Sequence, residues 1–519
     1  MAQVGYAFAD VFCMYAYSDK DLEEIARQVA EWMQLATPAL RAENRPYLQI
    51  VLSGSRWAGK PASHAPDIFH SRLATSARHR SCQFFAGVDF LAVEENHTFK
   101  DLLRSLVARA EAVRSCSRQA RLLFSVQHFN SLFRRALASM RGSPSLGFDF
   151  VSAARQDFPV SRAFSLHLQN FLDQLPTVED VMDFGSAIAA SAILKDHYEV
   201  GMHLFRPGDV FSVLYEPLCR TAAREHCLKA AQQFKAAQQL ETQFLARTAA
   251  HVEALFRRLL AGESALAVHQ HTLARFAERW RLVASQDSCF ACFNHVASYT
   301  ACCGHKICTE CVQVHGLTEE ADPGTFTVKR CPLCGADAGM TVRVRHPNAG
   351  DVIICIDGGG VLVMIPLVIL ALTHAEVGLP IPIQEFFTMA YGSSAGAIAT
   401  LALWMEGMTP ERASAEFEAM AAEVFSPDPE LGWLKWAKAV LFGAMYPDAA
   451  IEVPLRSVHG RQKLADSTYA TRIGTKVGVL AATTEDPHIV LLNNYNGVGG
   501  DRIGYSALRG VDSVHTWEA

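Results

Sequence analysis

At 519 residues, half of them hydrophobic, the chain is too long for one ordinary core and too apolar to stay unfolded, so about two to four domains are expected. A net charge of -6 gives no electrostatic reason to expect nucleic acid. The start has neither a basic n-region nor a cleavage site, and the most apolar run, Val361 to Leu372, is shorter than a bilayer requires. A cytoplasmic chain without a transmembrane segment, peripheral on membranes at most, is therefore expected, with that run as a buried helix.

Taken in order, the pattern predicts a multidomain α/β protein: an α/β region over 1–120, a mostly helical region over 121–287, a cysteine-rich module over 288–336 and a second α/β domain over 350–519. Ala9 to Tyr17, Tyr47 to Leu52 and Gly87 to Val93 read as strands. Asp19 to Leu35 reads as a helix, with Leu22, Ile25, Val29 and Met33 on one face, and Phe99 to Val113 as another. After the second strand, Gly54-Ser55-Arg56-Trp57-Ala58-Gly59-Lys60 has the glycine and lysine spacing of a P-loop. Pro61 stands where magnesium needs a hydroxyl, and Trp57 crowds the cradle, so the stretch reads as a degenerate surface loop.

Ala222 to Leu260 has no Gly or Pro and a helical spacing that suits a hairpin or a short coiled-coil arm. His269 and His271, two apart, do not share a helix face and read as surface residues. Of the 14 cysteines, Cys13, Cys82, Cys116, Cys219, Cys227 and Cys355 are scattered and read as core residues. The others gather as Cys289-x2-Cys292, Cys302-Cys303-x-His305, Cys308-x2-Cys311 and Cys331-x2-Cys334. Such pairs in a chain without a secretion signal point to metal in a reducing compartment rather than to disulfides. Eight ligands make two closed tetrahedral sites, which are structural.

This order and spacing resembles the RING finger, including the Cys-Gly-His centre and the Cys-Pro-x-Cys end. The resemblance implies two structural zinc ions in a cross-brace. Cys289, Cys292, Cys308 and Cys311 would hold one; Cys303, His305, Cys331 and Cys334 the other, leaving Cys302 spare. Many RING fingers recruit a ubiquitin-conjugating enzyme through a hydrophobic groove, which Phe290 and Pro332 would line here. Gly335 stands where such fingers often carry a basic residue, so a scaffold binding some other protein partner is expected ahead of a ligase.

In the last third, Val352 to Ile356 reads as a buried strand leading into Asp357-Gly358-Gly359-Gly360. A second strand, Phe386 to Ala390, leads into Gly392-Ser393-Ser394-Ala395-Gly396 and an apolar helix. Strand, tight turn, exposed Ser and helix form a nucleophile elbow, and a glycine turn entering a helix offers free N–H groups to an oxyanion. Together they predict acyl transfer through a serine ester.

Residues 350–519 resemble the patatin-like phospholipases. Besides the two glycine motifs, Ile365-Pro366-Leu367, the strand Val477 to Thr484, Asn494-Tyr495-Asn496 and the final Trp517-Glu518-Ala519 carry the likeness. A RING-like finger directly before such a domain is similar to an arrangement in fungal multidomain proteins. The resemblance implies hydrolysis of a fatty-acyl ester in a phospholipid or glyceride at a membrane surface, with Ser394 as nucleophile, Gly358, Gly359 and Gly360 as the oxyanion turn, and an Asp as base. Two departures stand out. Leu362 and Val363 replace the Arg-Gly that usually ends the glycine turn. The family's Asp lies in an Asp-Gly-Gly or Asp-Gly-Ala motif beyond the Trp-Glu-Ala segment, so the base Asp is expected to be absent and the domain incomplete at its C-terminal end. Asp501 stands in reversed order after two glycines. Asp512 and His515 suit an α/β-hydrolase order, which typically has a different oxyanion turn. All three read as solvated loop residues. Asp357 is expected to cap or position the turn.

Overall fold

The structure, a computed structural model, describes residues 6–35, 45–53, 64–73, 84–93, 99–142, 148–230, 234–319, 322–346, 348–424, 448–460, 462–483, 488–495, 505–507 and 514–516. It divides into two units: residues 1–160, 193–218 and 249–265 form one, and residues 161–192, 219–248 and 266–519 the other.

The first unit is built on three parallel strands in the order β1 (Val11–Ala16), β2 (Tyr47–Ser53), β3 (Gly87–Val93). Parallel neighbours need crossovers, and helices α1 (Asp19–Leu35) and α2 (His64–Arg72) provide them, with α3 (Phe99–Gln119) following β3. Leu22, Ile25, Val29 and Met33 are buried along one face of α1, as their spacing requires. Gly54 to Lys60 and Pro61 lie outside the described residues, as does Cys82. The helical portion of this unit holds a polar knot. Arg155 donates to the Asp196 carbonyl at 2.7 Å and to its carboxylate at 2.9 Å, and the Tyr215 hydroxyl donates to the same carboxylate. His197 beside it is fully buried, both ring nitrogens lack a hydrogen-bond partner among the described residues, and its ring stands edge-on to Tyr198.

The second unit begins with helices, among them α4 (Phe164–Leu172) and Ala265–Arg275. His269 is fully buried in the latter, contrary to the surface reading; its ring nitrogens meet Ser191 Oγ at 2.9 Å and Ala291 O at 2.7 Å. His271 is exposed. The cysteine-rich module carries a short hairpin of β4 (Tyr299–Thr300) and β5 (Lys306–Ile307), helix α5 (Thr309–His315), and a ribbon of β6 (Leu317–Glu319), β7 (Asp322–Arg330) and β8 (Asp337–Arg343).

The last sheet runs β13 (Tyr505–Ala507), β12 (Ile489–Asn493), β11 (Lys476–Ala482), β10 (Met389–Ser393), β9 (Ile353–Ile356). Only β12 is antiparallel to β11; the other pairs are parallel. β9 is the edge strand, which is why Ile353 and Cys355 are exposed rather than core. Cys219 and Cys227 are buried; Cys13 and Cys116 are half-buried.

Helix α6 (Met364–Val377) connects β9 to β10 and α7 (Ala395–Trp404) follows β10. The run Val361 to Leu372 is not the buried helix expected. Val363, Leu367 and Leu370 enter the core, while Val361, Leu362, Ile365, Val368, Ile369 and Leu372 are about half exposed or more. A helix apolar on every side can give only one face to the sheet. Gly360–Val377, 18 residues, also has the length and composition to cross a membrane. Its place between adjacent parallel strands is that of a crossover helix.

Candidate active site and metal centres

The module's ligands form two groups. Cys289, Cys292, Cys308 and Cys311 are one; Cys303, His305, Cys331 and Cys334 are the other, with all ligand atoms in each group within 4.8 Å of one another. In the first, Cys289 Sγ lies 3.7 Å from Cys311 Sγ and Cys292 Sγ 3.7 Å from Cys308 Sγ. A tetrahedral zinc with Zn–S of about 2.3 Å has sulfur–sulfur edges of about 3.8 Å, so the set fits that ion. In the second, His305 Nδ1 lies 3.3 Å from Cys303 Sγ and 3.6 Å from Cys331 Sγ, near the roughly 3.6 Å edge of a mixed N/S site.

The surroundings also fit. His305 Nε2 donates to Trp280 O at 2.8 Å and Val283 O at 3.1 Å, which leaves Nδ1 unprotonated and aimed at the cluster. Amides of Cys308 and Cys311 point at the sulfurs of Cys289 and Cys308, at 3.3 and 3.4 Å. The Glu310 carboxylate on His295 raises that imidazole to about 9 and ties α5 to the first knuckle. Cys302 is exposed and outside both groups. Each group offers four ligand atoms, the number that a tetrahedral site takes.

Phe290 does not line a surface groove. It is 1 % exposed, and its ring packs against Phe171 of α4, Trp280 and Phe293. Aromatic area of that size is more stable buried than wet, and the chain's own helices cover it. Pro332 is half-buried.

In the last sheet, β9 and β10 are parallel, with Gly392 opposite Ile356, so both deliver their turns to the same carboxyl end. Open α/β sheets bind ligands there. Ser394 joins β10 to α7 at φ 53°, ψ -129°, a strained conformation costing roughly 1–3 kcal/mol. Its side chain makes no cap and has no hydrogen-bond partner among the described residues. The strain is held by close packing. A Cβ on Gly396 would lie 2.2 Å from Ile356 O, and one on Gly358 would lie 2.7 Å from Ser394 Cβ and 3.3 Å from Ser394 Oγ. The glycine turn and the elbow are thus one site, brought into contact by strand register.

The family model described as Patatin-like phospholipase matches residues 354–501.

No curated protein and no solved structure matches the chain. The matched stretch includes the glycine turn, the elbow and β11–β12. Within it, Gly359 and Gly360 turn the chain at φ 131° and 60°, and Leu362 N–H closes the turn on Gly359 O at 3.2 Å. Gly358 N–H donates to Ser393 Oγ at 3.3 Å. Asp357, expected to cap or position the turn, is exposed and makes no hydrogen bond among the described residues. The departures at Leu362 and Val363 do not intrude: Val363 enters the core and Leu362 turns outward.

No Asp, Glu or His among the described residues is hydrogen-bonded to Ser394. Asp501, Asp512, Asn496 and Trp517 to Ala519 lie outside those residues. His515 pairs its backbone with Lys463. Sequence reasoning missed Ser393, Arg343 and Arg345. The two arginines are spaced i, i+2 at a strand end, so they share a face, the one signal that marked them as a pair.

Proposed function

We propose that residues 350–519 are a lipid acyl hydrolase domain in which Ser394 is the nucleophile and the Gly358–Gly360 turn binds the oxyanion. The observation that carries this reading is the packing of Gly358 against Ser394 at a strained strand–helix turn, where the Ser394 hydroxyl has no hydrogen-bond partner among the described residues. Attack of Ser394 Oγ on an ester carbonyl would give a tetrahedral oxyanion near the Gly358 turn. Its collapse would break the ester C–O bond, release the alcohol part of the lipid with the proton given up by the serine, and leave the acyl-enzyme, which water would hydrolyse to the fatty acid and the free hydroxyl. The lipid class is supported by the family match and by the exposed aliphatic face of α6, which starts at the same turn.

Two zinc ions in the Cys/His groups complete the proposal, as structural ions outside the chemistry. They support a second reading, a zinc-dependent scaffold with an inactive lipase-like domain, for which the closed ligand sets speak. Burial of Phe290 weighs against the ligase form of that scaffold. Labelling with a fluorophosphonate probe, together with turnover of a short-chain ester, separates the two. The hydrolase reading expects both, lost in Ser394→Ala. Absence of both in the unaltered chain leaves the scaffold.

A further inference from the structure

The metal module does not end at its last cysteine. Cys331 and Cys334 form the turn that joins β7 to β8, and β7 pairs with β8 as far as Thr325 opposite Arg343. Two residues on, Arg345 Nη2 donates to Phe387 O at 2.9 Å and Glu385 O at 3.3 Å, and its Nε donates to Gly474 O at 3.3 Å. Arg343 pairs with the Glu385 carboxylate at 2.9 Å. Gly474 lies so close that a Cβ there would meet Arg343 O at 2.5 Å. From the other hairpin of the module, Thr300 donates to Ala465 O at 2.6 Å.

These contacts fall at one functional place. Glu385 to Phe387 launches β10, and Gly474 launches β11, its neighbour in the sheet. One guanidinium thus staples the starts of two adjacent strands, and the nucleophile stands at the far end of the first. Charge-assisted donors of this kind contribute more than neutral ones; Phe387 O also accepts from Thr475 Oγ1 at 2.8 Å, so the guanidinium is its second donor. On its other side the module is anchored by Phe290 in the Phe171–Trp280 cluster and by His305 on Trp280 O.

We propose that the metal module is an internal bracket for the nucleophile strand, with Arg345 as its positioning residue, so that metal occupancy sets the order of the Ser394 elbow. Modules with so small a core depend on their metal to fold. Losing the ion at the β7–β8 turn would fray the ribbon whose other end holds Arg343 and Arg345. The module would then be needed by the domain behind it rather than by a separate partner. That Ser394 is the nucleophile rests on the reading above; the mechanical link from metal to β10 does not.

The test is hydrogen exchange by mass spectrometry on the full chain, with Zn2+ bound and after chelation. Metal removal is expected to speed exchange in Glu385 to Ser394 about tenfold, leave β12 unchanged, and reverse on adding Zn2+ alone. Arg345→Ala is expected to keep two zinc ions per chain, show the same tenfold rise with metal present, and respond no further to chelation. Arg345→Lys, able to reach one carbonyl at a time, should recover part of the protection. Unchanged exchange in Glu385 to Ser394 after chelation, or a rise shared equally by β12, overturns the proposal. So does an Arg345→Ala chain with ordinary exchange there. Should Arg345→Ala fail to fold, the unaltered chain with and without metal decides. Probe labelling of Ser394, run in parallel, reports on the nucleophile; its failure with a positive exchange result would sink the hydrolase reading and keep the bracket.

Discussion

Gly358 donates its amide to Ser393 Oγ at 3.3 Å, one residue ahead of Ser394. In the proposed site, the donor assigned to the oxyanion is therefore engaged before substrate arrives. Breaking that bond costs about 1 kcal/mol. Ser393→Ala frees the amide and is expected to raise the rate of acylation by a short-chain ester several-fold, while Ser394→Ala abolishes it. Stopped-flow acylation kinetics of the two variants check this.

The space between Gly358 and Ser394 admits no methyl group. Gly358→Ala would place a carbon 2.7 Å from Ser394 Cβ, and either the turn or the elbow must move. Since one oxyanion donor is typically worth roughly 3 kcal/mol, probe labelling should fall about a hundredfold. Metal content, set in another part of the unit, should stay at the unaltered value by elemental analysis.

Among the adjacent cysteines, Cys303 belongs to a ligand group and Cys302 does not. Cys302→Ser is expected to retain both metal ions. Cys303→Ser should lower the content to about one per chain, and Cys308→Ala should remove the other ion. Chelation of the unaltered chain should release both and lower its melting temperature, because binding free energy at such sites is folding free energy.

His197 supplies a pH prediction for the first unit. Burial, then the Arg155 and His203 charges, pushes its imidazole down to about 3. Between that value and its ordinary 6.5, the unfolded chain takes up a proton that the folded chain refuses. The contribution is complete above pH 6.5 and is lost as pH falls toward 3. Urea unfolding at pH 7 and pH 5 should show the unaltered chain losing roughly 2 kcal/mol more than His197→Leu over that interval.

The exposed side chains of α6 should matter only where lipid is aggregated. Ile365, Val368, Ile369 and Leu372 follow an i, i+3, i+4, i+7 spacing, and that stripe faces solvent. Ile369→Asp with Leu372→Asp is expected to lower turnover of vesicle-borne esters tenfold or more and leave a soluble short-chain ester within twofold. Equal loss on both substrates would place these residues in the fold instead.

Local patterns were legible where one interaction dominates. The face Leu22, Ile25, Val29 and Met33 fixes α1 because a helix repeats every 3.6 residues, and β1 to β3 announce themselves as apolar runs between turns. The Cys-x2-Cys pairs are legible because two sulfurs from one turn reach one ion. Burial that depends on a distant partner was not. His269 looked solvated until Ser191 and Ala291 met it, and Phe290 looked like a groove until α4 and Trp280 covered it. Val361 to Leu372 looked buried because apolar content says nothing about how much sheet is available to cover it.

The amino-acid sequence by itself determined the two glycine motifs, the ligand spacing and the alternation of strand and helix, since each depends on neighbours a few residues away. Only the tertiary structure decided that Gly358 touches Ser394, 36 positions along the chain, because parallel pairing of β9 and β10 brings their turns to one edge. It also decided that Arg345, unremarkable in sequence, spans the starts of β10 and β11. A hydrogen bond needs its donor and acceptor at about 3 Å, and only folding sets that distance for residues far apart in the chain.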